Sequence, residues 1–161
     1  MKRRNFIKKA TATAIGTVVF PTIVPSSVFG KNAPSNKINI GQIGCGRIAR
    51  DHDMAETIRY DQAQFIAVCD VDKKRLIDGK RYIDSYYAKK AGNSGYSDAK
   101  MYDDYQELLL NKDIDAVIIS TPDHWHAEPA ARAALAKKDI YLQKPTSLTV
   151  AEGRFLSDLV R

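Results

Sequence analysis

From residue 38 onward, the apolar and polar positions switch repeatedly between two periods. Ile38-Asn39-Ile40-Gly41-Gln42-Ile43 alternates apolar and polar and predicts a short strand. A glycine turn at 44–46 leads into helical spacing that runs to about Tyr60. Phe65 to Cys69 is a second apolar run, closed by Asp70. Between Lys73 and Lys90, Leu76, Ile77, Tyr82, Ile83, Tyr86 and Tyr87 recur at helical spacing and predict a long helix with a polar face. The Ala-Gly-Asn-Ser-Gly run at 91–95 breaks it. Tyr102 to Asn111 predicts a short strand end followed by a helix carrying Leu108, Leu109 and Leu110. Asp115 to Ser120 encloses a continuous apolar run of the kind found in buried parallel strands. Trp125 to Lys137 predicts a helix, Ile140 to Leu142 a strand, and Thr149 to Arg161 a helix reaching the last residue. No internal repeat is visible. The βαβαβ order predicts an α/β fold with a doubly wound parallel sheet.

The 161 residues suit one domain with a real core, and 44% apolar with 27% charged residues indicate a globular chain. Two cysteines exclude a disulfide scaffold and a multi-cysteine zinc site. Cys45 and Cys69 end adjacent strands in the expected fold; a disulfide between them is conceivable in an oxidising compartment, but folding in the cytoplasm and the crowded turn make free thiols the expectation. The net charge of +6 is local. Residues 1–30 hold five bases (Lys2, Arg3, Arg4, Lys8 and Lys9) and no acid, which leaves 20 basic against 19 acidic residues elsewhere. Nothing in that balance favours nucleic acid. Ala10 to Val24 is uncharged but too short for a bilayer span, and it follows a basic start, as in a secretory signal. Arg3-Arg4-Asn5-Phe6-Ile7-Lys8 resembles a twin-arginine export signal, with Lys2 where Ser or Thr is common; cleavage after Gly30 is expected. The resemblance implies folding in the cytoplasm and work in the periplasm or beyond. Residues 31–37 read as a polar linker, and 38–161 as the folded domain.

Gly44-Cys45-Gly46-Arg47-Ile48-Ala49 fits G-x-G-x-x-G/A between a strand and a helix. In that pattern the first glycine permits the tight turn, the second lets a pyrophosphate approach the backbone, and the small third residue allows close helix–strand packing. The helix N-terminus then offers free N–H groups to phosphates. Asp70 lies 24 residues beyond Gly46, at the end of the next strand, where a carboxylate holds adenosine ribose hydroxyls. That carboxylate favours NAD over NADP, while Lys73, Lys74 and Arg75 close by keep NADP as an alternative.

Two further segments, Ser120-Thr121-Pro122-Asp123-His124-Trp125-His126-Ala127-Glu128 and Leu142-Gln143-Lys144-Pro145, follow the later strands. With Gly44-Cys45-Gly46 and Val68-Cys69-Asp70, they give residues 37–161 a resemblance to the Gfo/Idh/MocA oxidoreductases. The resemblance implies a Rossmann-like NAD(P)-binding domain, completed in that family by a second α/β domain that binds a sugar or polyol. It implies that Gly44, Cys45, Gly46, Arg47 and Ile48 wrap the pyrophosphate and Asp70 the adenosine ribose; Arg75, a base close to Asp70, is counted with the cofactor residues. Thr121 and Pro122 would line the dinucleotide, with Asp123 and His126 near the nicotinamide. Lys144, with His126, is the expected catalytic residue, and Gln143 stands where the family usually carries glutamate. A lysine can hold an alkoxide-like oxygen by charge and exchange its proton. Asp123, His124 and His126 lie too close in sequence to close a metal shell, so no metal is expected. Trp125 is expected to pack rather than to face substrate.

The chain stops before the sixth strand and the second domain that the resemblance implies. It is therefore expected to be the cofactor half of an oxidoreductase, without turnover alone, although compatible with a homo-oligomer. Two alternatives stay open: a fragment of a glycosidase that uses NAD to oxidise a sugar transiently, and a non-catalytic nucleotide-binding module.

Overall fold

A computed structural model describes residues 36–92 and 98–161; the expected export signal and most of the linker lie outside the described residues. Five strands form one sheet: β1 (Ile38–Ile43), β2 (Ala63–Cys69), β3 (Lys100–Tyr102), β4 (Ala116–Ile119) and β5 (Asp139–Leu142). All pairings are parallel and the order is β3-β2-β1-β4-β5. The expected doubly wound α/β fold is therefore present. Strand order reverses at β1, which has β2 on one side and β4 on the other.

Each face of the sheet has its own apolar layer. Ile40, Phe65, Val68 and Ile118 face one side and pack with Met54, Ile58, Leu76 and Ile83. Ile43, Ala67, Val117 and Ile119 face the other and pack with Leu108, Leu109, Ala130 and Leu156. The register of β1 on β2 shifts between Ile40 and Gly41, where Phe65 gives way to Ala67. That bulge explains how Phe65 and Val68, three apart, reach one layer. Gln42, polar in a strand expected to alternate, is fully buried because both faces are covered.

The helices agree with the hydrophobic spacing except at their ends. After the glycine turn comes α1 (residues 47–57), which widens into an i→i+5 turn over Ala49–Asp53 and continues as Met54–Thr57. Then follow α2 (Lys73–Ala91), α3 (Tyr105–Leu110), α4 (Ala127–Leu135) and α5 (Val150–Leu159). Asp72 caps α2 by accepting from the Lys74 and Arg75 N–H groups, and Gly92 ends it in the left-handed region at φ 65°. A Thr149–Glu152 capping box opens α5. The helix expected from Trp125 begins only at Ala127, because a tight turn over Asp123–Trp125 precedes it.

Gly79 of α2 lies directly on the glycine turn: a Cβ there would meet Cys45 Sγ at 2.8 Å and Cys45 Cβ at 3.0 Å. Glycine to alanine inside a helix normally stabilises by about 0.5–1 kcal/mol. Gly79→Ala is expected to destabilise instead, by about 1–3 kcal/mol from overpacking. Urea denaturation followed by circular dichroism checks this, and an unchanged or raised midpoint refutes it.

Candidate functional site

The reversal of strand order leaves a crevice at the C-terminal ends of β1 and β4, where open α/β sheets bind ligands. A cleft of about 760 Å³ occupies it. Gly44, Gly46, Arg47 and Ile48 form one wall, Asp70 and Arg75 another, and Thr121 and Pro122 a third. Eight of the expected cofactor residues thus share one cavity.

Backbone constraints shape the turn. Gly44 has φ 83°, and a Cβ on it would lie 2.8 Å from the Ser120 carbonyl oxygen. Both the left-handed conformation and the contact with β4's end therefore require glycine. A Cβ on Gly46 would meet nothing within 4 Å, so this position opens onto free space. The Asp70 carboxylate accepts from Cys45 N at 2.8 Å through Oδ2 and from Asp72 N at 2.9 Å through Oδ1. It thereby ties the end of β2 to the glycine turn. Each oxygen keeps a second lone pair for a hydroxyl donor.

The remaining expected residues lie outside the cleft wall. Cys45 is fully buried and contributes its N–H to Asp70. Asp123 and Lys144 are exposed, and Gln143 is buried behind the wall. His126, expected to be catalytic with Lys144, is not among the residues that line the cleft. It is 1% exposed, with Nδ1 against the Pro145 carbonyl and Nε2 2.7 Å from the Thr121 carbonyl. Each ring nitrogen faces a backbone carbonyl, and whichever carries the hydrogen donates to it, so the ring lies between the two loops that follow β4 and β5. Trp125 also departs from expectation: it is half exposed and lines the cleft instead of packing. A tight turn, not the first turn of a helix, carries it there.

The structure adds Tyr105, Asp53 and Gln42, which the motifs did not single out. Tyr105 lines the cleft and donates a hydrogen bond to Glu128. Burial, and then that carboxylate, push its hydroxyl's pKa upward. Beneath the cleft floor, Asp53, Ser120, Gln42 and Gln143 form a hydrogen-bonded group. Its sequence signals were two polar residues at apolar positions: Gln42 within β1, and Asp53 one helical turn beyond buried Ala49.

Cys45 and Cys69 are free and buried. Burial, with the nearby Asp70 carboxylate, pushes both thiols from 9.0 up to about 12. At pH 8 only about one in ten thousand of each would be thiolate. A thiol reagent at that pH is expected to leave the folded chain unlabelled and to label both cysteines in denaturant. Rapid labelling of the folded chain would overturn this assignment. Because folding raises both values, the thiols' stabilising contribution is complete below pH 9 and declines as pH rises towards 12.

A parallel sheet in this order, with a glycine turn and a carboxylate at its reversal point, defines a dinucleotide-binding α/β domain. The chain belongs to the GFO_IDH_MocA oxidoreductase family, whose NAD-binding Rossmann fold matches residues 38–161. It is 30% identical, over 98% of its length, to glycosyl hydrolase family 109 protein 2 of Shewanella sp. strain ANA-3, and covers 36% of that protein. It is 31% identical, over 71% of its length, to inositol 2-dehydrogenase of Salmonella typhimurium, covering 31% of it. The chain thus spans about a third of the curated relatives it matches. Among solved structures, a probable dehydrogenase from Thermotoga maritima superposes with a TM-score of 0.60 at 29% identity, over 76% of this chain and 33% of that one. The scyllo-inositol dehydrogenase of Lactobacillus casei with NAD(H) and scyllo-inositol shares the fold, with a TM-score of 0.63 at 22% identity, over 77% and 33% of the two chains.

Proposed function

We propose that this chain is the NAD-binding part of an exported oxidoreductase that moves a hydride between nicotinamide and a hydroxyl or carbonyl of a sugar or polyol. The observation that carries the reading is the cleft at the strand reversal, with Gly46 open to it and Asp70 on its wall. The similarity to an inositol 2-dehydrogenase supports the substrate class. Residues 1–30 would be a twin-arginine export signal, 31–37 a linker and 38–161 the dinucleotide-binding domain. Further polypeptide would supply the substrate-binding half.

The residues present fit a nicotinamide dinucleotide. The N–H groups at the start of α1, beside Arg47, suit a pyrophosphate, and Asp70's spare lone pairs suit ribose hydroxyls. When bound, the nicotinamide supplies or accepts the hydride. Thr121 and Pro122 would line the dinucleotide, and Asp123 would stand near its nicotinamide end. Lys144 would hold the substrate oxygen by charge and exchange a proton with it, a role open to an exposed ammonium. His126 would hold the loop after β4 to Pro145 and so set where Lys144's neighbours lie.

A second reading is favoured by the family 109 relative, which is matched along 98% of this chain. There the same cofactor site would oxidise a sugar carbon transiently, loosen the glycosidic bond and recover its hydride. Nicotinamide absorbance during turnover of the full-length protein separates the two: the first reading accumulates reduced cofactor and the second does not.

Calorimetric titration of the chain with NAD and NADP tests the cofactor site. NAD is expected to bind more tightly than NADP, because Asp70 repels a 2′-phosphate. Asp70→Asn, which keeps the side chain's shape, is expected to weaken NAD by about tenfold, the equivalent of one charged hydrogen bond. Equal NAD affinity in the parent and a folded variant would sink the assignment.

A further inference from the structure

The buried group beneath the cleft gives Asp53 a role that no sequence motif assigned. Its side chain is fully shielded from solvent. Oδ2 accepts from Ser120 Oγ at 2.6 Å, and Oδ1 accepts from Gln143 Nε2 at 2.8 Å, with His52 Nδ1 at 3.2 Å on the same oxygen. Ser120 Oγ accepts in turn from Gln42 Nε2 at 2.9 Å, which also donates to the Gly44 carbonyl at 2.9 Å. Gln143 Oε1 accepts from the Lys144 N–H at 2.8 Å. One side chain of α1 is thereby linked to the turn after β1 and to the loops after β4 and β5.

The donors decide which residue belongs at 143. The Gln143 amide is used at both ends, its nitrogen giving to Asp53 and its oxygen receiving from Lys144. Glutamate would keep the second bond and lose the first, setting two carboxylates against each other in a site closed to water. Gln143 and Asp53 are therefore one unit, in which the buried acid sits on α1 and the amide next to Lys144. We infer that Asp53 is a positioning residue that, through Gln143 and Ser120, fixes the Lys144 and Thr121 loops around the nicotinamide half of the cleft. This deepens the dinucleotide-binding reading and rests on it.

A charge swap tests the pairing. Gln143→Glu alone places two carboxylates within hydrogen-bonding distance, which must share a proton. Shared-proton pairs have raised pKa values, so the variant's loss of stability should be small near pH 4 and grow as pH rises to neutrality. His52 Nδ1 lies 3.2 Å from Asp53 Oδ1 and loses its carboxylate partner in the double variant, so the comparison is repeated with His52→Ala in every background, where the pH-dependent deficit and its recovery should persist. Asp53→Asn/Gln143→Glu restores one acid and one amide with their places exchanged: the amide introduced on α1 donates to the new carboxylate, which still accepts from Lys144 N. The double variant should recover most of the melting temperature and lose the pH-dependent deficit.

Ligand affinity provides the positional readout. Gln143→Glu is expected to weaken NAD by about tenfold but ADP, which lacks the nicotinamide half, by less than about threefold; the double variant restores NAD to within about threefold. Additive losses in the double variant, or equal weakening of NAD and ADP, would overturn the inference. If Gln143→Glu does not fold, recovery of a folded, NAD-binding double variant supports the pairing, and an unfolded double variant refutes it. Should the parent bind neither nucleotide, the dinucleotide reading fails, while the melting temperatures still decide whether Asp53 and Gln143 are coupled.

Discussion

The contact between Gly44 and the Ser120 carbonyl is the constraint on which the site depends. β1 must pair with both β2 and β4, and its chain must then turn sharply into α1 without striking the end of β4. Space for a side chain at residue 44 ends 2.8 Å away, at backbone atoms that cannot give. The Gly44 N–H, meanwhile, donates to the Cys69 carbonyl at 2.8 Å, and the Ser120 N–H donates to the Ile43 carbonyl at 2.8 Å. Three strand ends are thereby stitched together. The crevice is the space left where the chains leaving β1 and β4 diverge.

Packing carries that constraint outward. Cys45, next in the turn, is fully buried against Gly79 of α2, which holds the turn from the side of the first apolar layer. Asp70 holds it from the end of β2. A carboxylate already occupied by two backbone N–H groups is a fixed acceptor that a ligand meets in place, with no side chain to reorder on binding. The same residue thus stabilises the turn and presents lone pairs to the cleft.

Much of this was legible in the sequence because the strands carry continuous apolar runs and the glycine turn has a fixed spacing to Asp70. The doubly wound parallel sheet and the cleft residues at 44, 46–48 and 70 follow from those local patterns, whereas 121 and 122 were expected only from the family resemblance. What was illegible depends on contacts between distant segments. His126 is of an acid–base residue type, and only the fold shows its ring held between the Thr121 and Pro145 carbonyls, away from the cleft wall. Trp125 reads as core by its type, yet a tight turn before α4 carries it to the cleft. The bulge that lets Phe65 and Val68 share a layer has no marker in residue type at all.

A buried acid below the cleft is costly unless its oxygens are fully engaged. An apolar residue at 53 would avoid that cost, but it would leave Ser120 Oγ and the Gln143 amide without their partner. Those two groups belong to the loops whose positions define the cleft, so the cost of burying Asp53 is offset where precision matters most. Networks of this kind strengthen as members polarise one another, and they weaken sharply when one member is wrong. The glutamine beside Lys144 follows from the same requirement. With the acid already on α1, position 143 needs a side chain that both donates and accepts, and glutamine does so where glutamate cannot.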